Sequence, residues 1–239
     1  MIPVNEPLLN GNEKNYLAEC IDTGWVSSEG PFVRRFEEEM ANTVGRQHGV
    51  AVCNGTAALE TAVSALDLQP GDQVVMPAFT IISCAQAVVR CGCVPVLVDS
   101  DPVTWNMDVE KLKARLEIEF EQKGNRNIKA IMAVHIYGLP VDMTPVIELA
   151  DKYGLRIIED AAEMHGQTYR GKPCGSFGDL SVFSFYPYKH ITTGEGGMVL
   201  TDDEALAGRC RALRNLCFQA EQRFVHEELG YNFRMSNLQ

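Results

Sequence analysis

A lysine, Lys189, lies directly after an apolar run and shortly before the glycine-rich turn Gly194-Glu195-Gly196-Gly197. Its sequence neighbours include Phe185, Tyr186 and Tyr188. An amine held at a strand end among aromatic side chains is partly desolvated, which makes it nucleophilic towards a carbonyl carbon. Lys189 is therefore a candidate for Schiff-base chemistry, although a single lysine is more often a solvated surface residue.

An acidic residue, Asp160, follows the apolar run Leu155-Arg156-Ile157-Ile158-Glu159. If that run is a strand of a parallel sheet, Asp160 lies at its carboxyl end, where open α/β sheets bind ligands. A carboxylate there can pair with a protonated heteroaromatic nitrogen and keep a pyridine ring cationic, so that the ring acts as an electron sink. A helix cap or an ordinary loop position is the alternative interpretation.

The tripeptide Asn54-Gly55-Thr56 separates a short apolar run from a helical pattern rich in alanine and leucine. Backbone N–H groups and the positive end of the helix dipole bind a phosphate at such a junction without a lysine. Ser184, five residues before Lys189, is close enough in sequence to donate its hydroxyl to the same phosphate. The tripeptide alone is also a common turn and cap. Together, the amine, the acid and the phosphate cradle meet the requirements of pyridoxal 5′-phosphate chemistry.

Short apolar runs alternate with helical patterns from residue 35 onward, which is typical of a parallel sheet covered by helices on both faces. The predicted strands are Gly49 to Cys53, Gln73 to Met76, Val94 to Val98, Ala130 to Val134, Arg156 to Glu159, Leu180 to Phe185 and Met198 to Thr201. The predicted helices are Thr56 to Leu66, Ile82 to Arg90, Val109 to Gln122, Thr144 to Tyr153 and Asp203 to Leu213. No repeat or linker divides the chain, so we expect one domain over residues 1–239.

The net charge and the distribution of apolar residues indicate which partners and which cellular location to expect. A formal charge of -11 argues against nucleic acid as a partner, because phosphate backbones are bound by an excess of lysine and arginine. The N-terminus lacks the pattern of a signal peptide, and no apolar stretch approaches the roughly 18 residues of a membrane span. We therefore expect a cytoplasmic protein with no membrane association.

Neither cysteine nor histidine predicts a metal site. The eight cysteines are scattered without a CxxC pair, and buried reduced thiols are the favoured interpretation. His135, His165 and His190 stand on separate predicted elements without ligand spacing, so we expect structural histidines and no metal.

The motifs resemble those of the DegT/DnrJ/EryC1/StrS family of sugar aminotransferases, and most closely its perosamine synthetase branch. The runs that carry the resemblance are Gly24-Trp25-Val26-Ser27-Ser28, Asn54 to Leu59, Val134-His135-Ile136-Tyr137-Gly138, Ile158 to Glu163, Ser184 to Gly197 and Gly230 to Met235. The resemblance implies the fold type I architecture, in which a large cofactor-binding domain precedes a smaller C-terminal domain. We expect residues 1–239 to be the large domain, with the smaller domain missing.

The resemblance also assigns roles. Lys189 would form the Schiff base with the cofactor, Asp160 would face the pyridine nitrogen and Glu163 would lie near the ring hydroxyl. The remaining cofactor-binding residues would be Gly55 and Thr56 through their amides, Ser184 through its hydroxyl, Ile81 over the ring where the family often has an aromatic residue, and Asn232, which would reach the phosphate bound by the partner subunit. A homodimer with shared active sites is thereby implied.

The activity that the resemblance implies is transfer of an amino group from glutamate to a nucleotide-linked 4-keto-6-deoxy sugar, and the perosamine synthetase branch favours a GDP sugar. Two alternatives stay open. A related sugar dehydratase carries histidine in place of the Schiff-base lysine, which does not fit Lys189. A truncated, non-catalytic or regulatory protein that binds the cofactor is the other.

Overall fold

The protein was analysed as a computed structural model, which describes residues 2, 6–219 and 221–239. Its strands are β1 (His48–Val52), β2 (Gln73–Pro77), β3 (Val94–Val98), β4 (Ile128–Val134), β5 (Arg156–Asp160), β6 (Thr168–Tyr169), β7 (Lys172–Pro173), β8 (Leu180–Ser184) and β9 (Gly197–Thr201). Its helices are α1 (Glu13–Thr23), α2 (Pro31–Val44), α3 (Gly55–Ala65), α4 (Ile82–Arg90), α5 (Val109–Glu117), α6 (Met143–Tyr153) and α7 (Glu204–Arg214).

Seven strands form one sheet in the order β1-β9-β8-β5-β4-β2-β3, and β6 pairs with β7 in a separate hairpin. Strands β3, β2, β4, β5 and β8 run parallel to one another. Strand β9 is antiparallel to both of its neighbours, β1 and β8. The predicted α/β fold with a mostly parallel sheet is confirmed.

Successive side chains of a strand point to opposite faces of the sheet. Alternate residues of the central strands therefore pack in two different hydrophobic clusters. On β4, Ala130 and Met132 pack in the cluster that includes residues of α3, α4 and α7. Ile131 and Ala133 pack in the cluster that includes residues of α5 and α6. Helices therefore cover both faces of the sheet, as the continuous apolar runs predicted.

The first two helices were not predicted from the sequence. Helix α2 begins at Pro31, and α1 and α2 end at glycines with φ of 75° and 80°. Proline at the first helical position and glycine after the last are start and stop signals that the sequence does contain. The predicted helix Val109 to Gln122 is divided, since α5 ends at Glu117 and one π-helical turn, Ile118–Gln122, follows.

All eight cysteines are free thiols, and six of them are buried. Among the described residues, no helix combines the length and the apolar character needed to cross a membrane.

Candidate functional site

Seven of the eight predicted site residues line one cavity of about 750 Å³ at the carboxyl ends of β5 and β8. They are Gly55, Thr56, Ile81, Asp160, Glu163, Ser184 and Lys189. Parallel strands present their carboxyl ends at a common edge, and the residues that follow β5 and β8 meet there for that reason. The eighth residue, Asn232, is exposed and does not line this cavity.

The N-terminus of α3 forms a cradle for an anion. The side-chain oxygen of Asn54 accepts a hydrogen bond from the Ala57 N–H at 2.8 Å. This cap leaves the N–H groups of Gly55 and Thr56 without an acceptor inside the helix, at the positive end of its dipole. A Cβ on Gly55 would lie 2.7 Å from Cβ of Ser184, so only glycine permits this approach of the Ser184 hydroxyl. The donors fit a phosphate group.

Gly197, the first residue of β9, packs against the backbone that enters this cradle. A Cβ on Gly197 would lie 2.6 Å from the Asn54 carbonyl carbon and closer still to its oxygen. We expect Gly197→Ala to displace the start of α3 and to weaken binding of pyridoxal 5′-phosphate at least about tenfold, since both cradle amides move with Asn54.

The matched control for that substitution is Gly208→Ala. Gly208 lies inside α7, where an added Cβ meets no atom within 4 Å. This variant should leave cofactor affinity unchanged and raise the unfolding free energy by about 0.5–1 kcal/mol, because alanine loses less backbone entropy in a helix. Equal cofactor affinity in the two variants, measured by equilibrium titration, would contradict the role given to Gly197.

Asp160 is the buried acid of the cavity, with 3% of its surface exposed. Its Oδ1 accepts from the Ala162 N–H at 3.1 Å, and its Oδ2 accepts from the Cys84 thiol at 3.3 Å. Burial raises the pKa of Asp160, and the two hydrogen bonds and the charge of Lys189 oppose this shift. A buried carboxylate with a raised pKa has a high affinity for a proton or for a protonated ring nitrogen.

The amine of Lys189 forms an ion pair with a carboxylate, and Tyr186 and Tyr188 line the same cavity. Its Nζ donates to Glu163 Oε1 at 2.9 Å, and Glu163 Oε2 accepts from the Tyr137 N–H at 2.9 Å. The neighbouring Tyr188 is 71% exposed, whereas only 18% of the Lys189 side chain is exposed. Glu163, expected near a ring hydroxyl, is thus the direct partner of the amine and is placed to hold the proton that Lys189 must lose before it attacks a carbonyl.

The backbone of Asn232 forms an isolated β-bridge with Asn215, and Asn232 lies outside the cavity. The next residue, Phe233, lines the cavity, and its carbonyl accepts from the Cys53 N–H at 2.8 Å. The segment that carries Asn232 is therefore anchored beside the site while the Asn232 side chain faces outward. The expectation that it serves a partner subunit remains a prediction.

Several residues that line the cavity, or that contact a residue lining it, were not predicted from the sequence. Cys84, the donor to Asp160, lies in the first turn of α4, and nothing in its sequence context signals this contact. Glu60 is buried on α3 and accepts from Gln86 at 3.1 Å, while Arg90 lies 3.1 Å from the same carboxylate. An acidic residue within an otherwise apolar helix was a usable signal for Glu60, because an unpaired buried carboxylate is costly.

A histidine close to the site, His165, is half-buried, and both of its ring nitrogens are buried. Both ring nitrogens lack a partner among the described residues, and the ring packs edge to face with Phe183 and Phe185. Burial, followed by the positive charges of His190 and Lys189, lowers the pKa of His165 to about 4. The ring is therefore neutral in the folded protein at neutral pH.

The lowered pKa of His165 predicts that the folded protein loses stability in acid. The unfolded chain binds a proton at His165 near the ordinary value of 6.5 and the folded chain only near pH 4, so stability falls as the pH decreases between these values. The contribution is about 3 kcal/mol at most. We expect His165→Phe to flatten this part of the curve of unfolding free energy against pH, measured with urea.

The control for that experiment is His226→Phe, which removes an exposed histidine. An unchanged slope between pH 6.5 and 4 in His165→Phe would show that the buried ring does not cause the acid sensitivity.

One cluster of potential metal ligands occurs among the described residues, formed by His135, Glu159 and Cys174. The Nδ1 of His135 accepts from the Val141 N–H at 3.0 Å, so its Nε2 carries the proton and donates to Glu159 at 2.9 Å. Glu159 also accepts from the Phe177 N–H at 2.8 Å. Burial, reinforced by the charge of Glu159, raises the pKa of Cys174 to about 12. These groups already satisfy one another, which favours a structural role.

The DegT/DnrJ/EryC1/StrS aminotransferase family matches residues 7–239. The GDP-perosamine synthase of Caulobacter vibrioides is 46% identical over 238 residues, which are 100% of this chain and 62% of that protein. Among solved structures, the aminotransferase TlmJ from Streptoalloteichus hindustanus has a TM-score of 0.90 at 30% identity, covering 100% of this chain and 63% of that one.

A third relative carries a cofactor. NtdA from Bacillus subtilis, solved with bound cofactor PMP, has a TM-score of 0.83 at 31% identity over 95% of this chain and 50% of that one. These neighbours agree with the predicted fold type I architecture. The chain spans about three-fifths of the length of the curated relative and of TlmJ.

Proposed function

The chain belongs to the DegT/DnrJ/EryC1/StrS aminotransferase family, and we propose that it binds pyridoxal 5′-phosphate in the cavity between Lys189 and the N-terminus of α3. The proposed activity is transfer of an amino group from glutamate to a nucleotide-linked 4-keto-6-deoxy sugar. The observation that carries it is the convergence of an amine, a buried acid and a phosphate cradle on one cavity. The family assignment agrees with the motifs of the sequence.

Each residue of the cavity has a separate proposed role. When bound, the cofactor supplies a ring that withdraws electrons from the reacting carbon. Asp160 holds the proton of the ring nitrogen, for which burial and the raised pKa of its carboxyl suit it. The amides of Gly55 and Thr56 and the hydroxyl of Ser184 orient the phosphate. Ile81, which lines the cavity, would lie over the ring.

Lys189 would hold the cofactor through its amine and would serve as the general base and acid that moves a proton at the reacting carbon. Its partner Glu163, 2.9 Å away, keeps the amine directed into the cavity and accepts or returns its proton. Because the Tyr137 N–H fixes the other oxygen of Glu163, this carboxylate has little freedom to turn away.

The nucleotide is inferred from a relative, and the assembly from the exposure of Asn232 outside the cavity. A GDP sugar is the proposed substrate class because a relative with 46% identity is a GDP-perosamine synthase. We further propose that residues 1–239 form the cofactor-binding large domain and that the chain works in the cytoplasm. Asn232, exposed and outside the cavity of its own chain, suits contact with the phosphate of a second copy in a homodimer.

Cofactor titration tests this proposal. Addition of pyridoxal 5′-phosphate to the purified chain should produce an absorption band that changes when glutamate is added. Borohydride reduction followed by peptide mapping should place the label on Lys189. A folded chain that gives no band, or a label on another lysine, would refute the proposal; a stable band that no amino donor changes would support the non-catalytic alternative instead.

A further inference from the structure

Three aromatic residues beside the cavity, Phe79, Trp105 and Tyr137, form a cluster that we call the aromatic platform. The ring centroids of Phe79 and Trp105 are 5.8 Å apart, and those of Trp105 and Tyr137 are 6.2 Å apart. The three residues are 45%, 52% and 73% exposed in the same order. Side chains this exposed contribute little to the core, and grouped aromatic rings at a surface are typical of a binding site.

The backbone of the aromatic platform is strained. Trp105 and Tyr137 have φ of 62° and 52°, a region that residues with a bulky side chain rarely adopt. Tyr137 and Gly138 are the central residues of a tight turn, in which the Leu139 N–H donates to the Ile136 carbonyl at 3.0 Å. Strained non-glycine residues persist where the surroundings enforce them, and they cluster at ligand-binding sites.

A buried asparagine enforces this arrangement. The Asn106 amide donates to the Leu139 carbonyl at 3.0 Å, and its oxygen accepts from the Ile136 N–H at 2.8 Å. One side chain thereby ties the residue after Trp105 to both sides of the turn that carries Tyr137. The two rings are preorganised before any ligand arrives, which reduces the entropy lost on binding.

The aromatic platform is continuous with the candidate active site at two points. The Tyr137 N–H donates to Glu163, whose other oxygen accepts from Lys189. Phe79 precedes Ile81 by two residues, and Ile81 lines the cavity. A ligand that places a carbonyl at Lys189 and extends beyond Ile81 therefore meets exposed aromatic rings.

We propose that the aromatic platform stacks the nucleobase of the nucleotide-linked sugar, an inference that rests on the proposed function. Every base presents an aromatic face, so stacking favours a nucleotide over a simple sugar phosphate and discriminates weakly among bases. The aromatic platform thus explains how the chain selects a nucleotide-linked substrate. A second copy of the chain covering the same rings is the competing occupant.

The test uses the two tryptophans of the chain, Trp25 and Trp105. Trp25→Phe leaves Trp105 as the only indole, and its fluorescence, excited at the red edge where guanine absorbs little, should change saturably with GDP. Inorganic pyrophosphate at the same concentration should cause no change. Trp105→Phe is the matched control, because it leaves Trp25, which lies against Gly30 and does not line the cavity.

A second variant tests the stacking at a position where the substitution should not destabilise the fold. Tyr137→Gly, made in the Trp25→Phe background, removes one ring at a position where φ of 52° suits glycine. We expect GDP affinity to fall at least about fivefold while thermal stability is maintained or increased. Unchanged affinity in this variant would remove the ring of Tyr137 from the binding site and overturn the three-residue aromatic platform.

Other results would also overturn the inference. These are the absence of a saturable change with GDP, an equal change in Trp105→Phe, or a change that follows protein concentration and not GDP, as a second copy would cause. The cofactor band is recorded in the same samples. If the band forms but GDP has no effect, only the aromatic platform fails; if no band forms, the proposed function fails independently of GDP.

Discussion

Replacing Lys189 by alanine should abolish amino-group transfer, with a loss of about 10³-fold or more, and should remove the borohydride-trapped label. The reason is that Lys189 is the only lysine that lines the cavity among the described residues, where the second cation is Arg90. Pyridoxal 5′-phosphate should still bind, more weakly, because Asp160 and the amides at the start of α3 are unchanged. Turnover and trapping are measured on the same preparation.

The control for this result is Lys113→Ala, which removes an exposed lysine of α5. It should leave activity and labelling at the level of the unmodified chain. Residual turnover in Lys189→Ala close to that of this control would refute the assigned role. A variant that has lost cofactor binding as well as turnover would indicate that the ion pair with Glu163 shapes the cavity, in addition to its chemical role.

The sequence was sufficient to place the main elements and the chemical groups of the site. Runs of valine and isoleucine predicted the seven strands of the main sheet to within two residues at either end, because buried parallel strands require them. Asp160 and Ser184 are the last residues of β5 and β8. Their proximity could be predicted without knowing the strand order, because parallel strands end at one edge of the sheet.

The contacts between side chains could not be predicted in the same way. The pairing of Lys189 with Glu163 depends on how the loop after β5 folds over the end of β8, and the two residues are 26 positions apart. The approach of Cys84 to Asp160 depends on the packing of α4 against the sheet. Neither distance follows from a periodic pattern, because each is set by tertiary packing.

The apolar pattern of the sequence also did not predict that β9 is antiparallel to both of its neighbours. A buried apolar run has the same pattern in either direction, and the twelve residues between β8 and β9 are enough to connect either a parallel or an antiparallel pair. The Phe185 N–H donates to the Gly196 carbonyl at 2.9 Å, so this turn closes directly on the end of β8. The result places Gly197 against Asn54, which is the close contact on which the phosphate cradle depends.

Replacing Asp160 by asparagine should lower turnover by about 10²- to 10³-fold, because the ring nitrogen loses the anion that holds its proton. The amide can still accept from the Ala162 N–H, so the variant should fold and bind the cofactor. The exposed Asp151 of α6 provides a control of equal charge, and Asp151→Asn should have full activity. Near-normal turnover in Asp160→Asn would mean that the ring proton is held by another group.

The same substitution should stabilise the cofactor-free chain, and the gain should depend on pH. Burial raises the folded-state pKa of Asp160 above its ordinary 3.8, so the folded chain binds the proton more tightly than the unfolded chain does. The carboxyl therefore destabilises the fold increasingly as the pH rises from 3.8 through the raised pKa, whereas asparagine carries no charge to bury. Urea unfolding should show the largest advantage of Asp160→Asn at neutral pH and above, and none below about pH 3.8. A variant that loses both activity and stability at pH 7 would instead assign Asp160 a structural role.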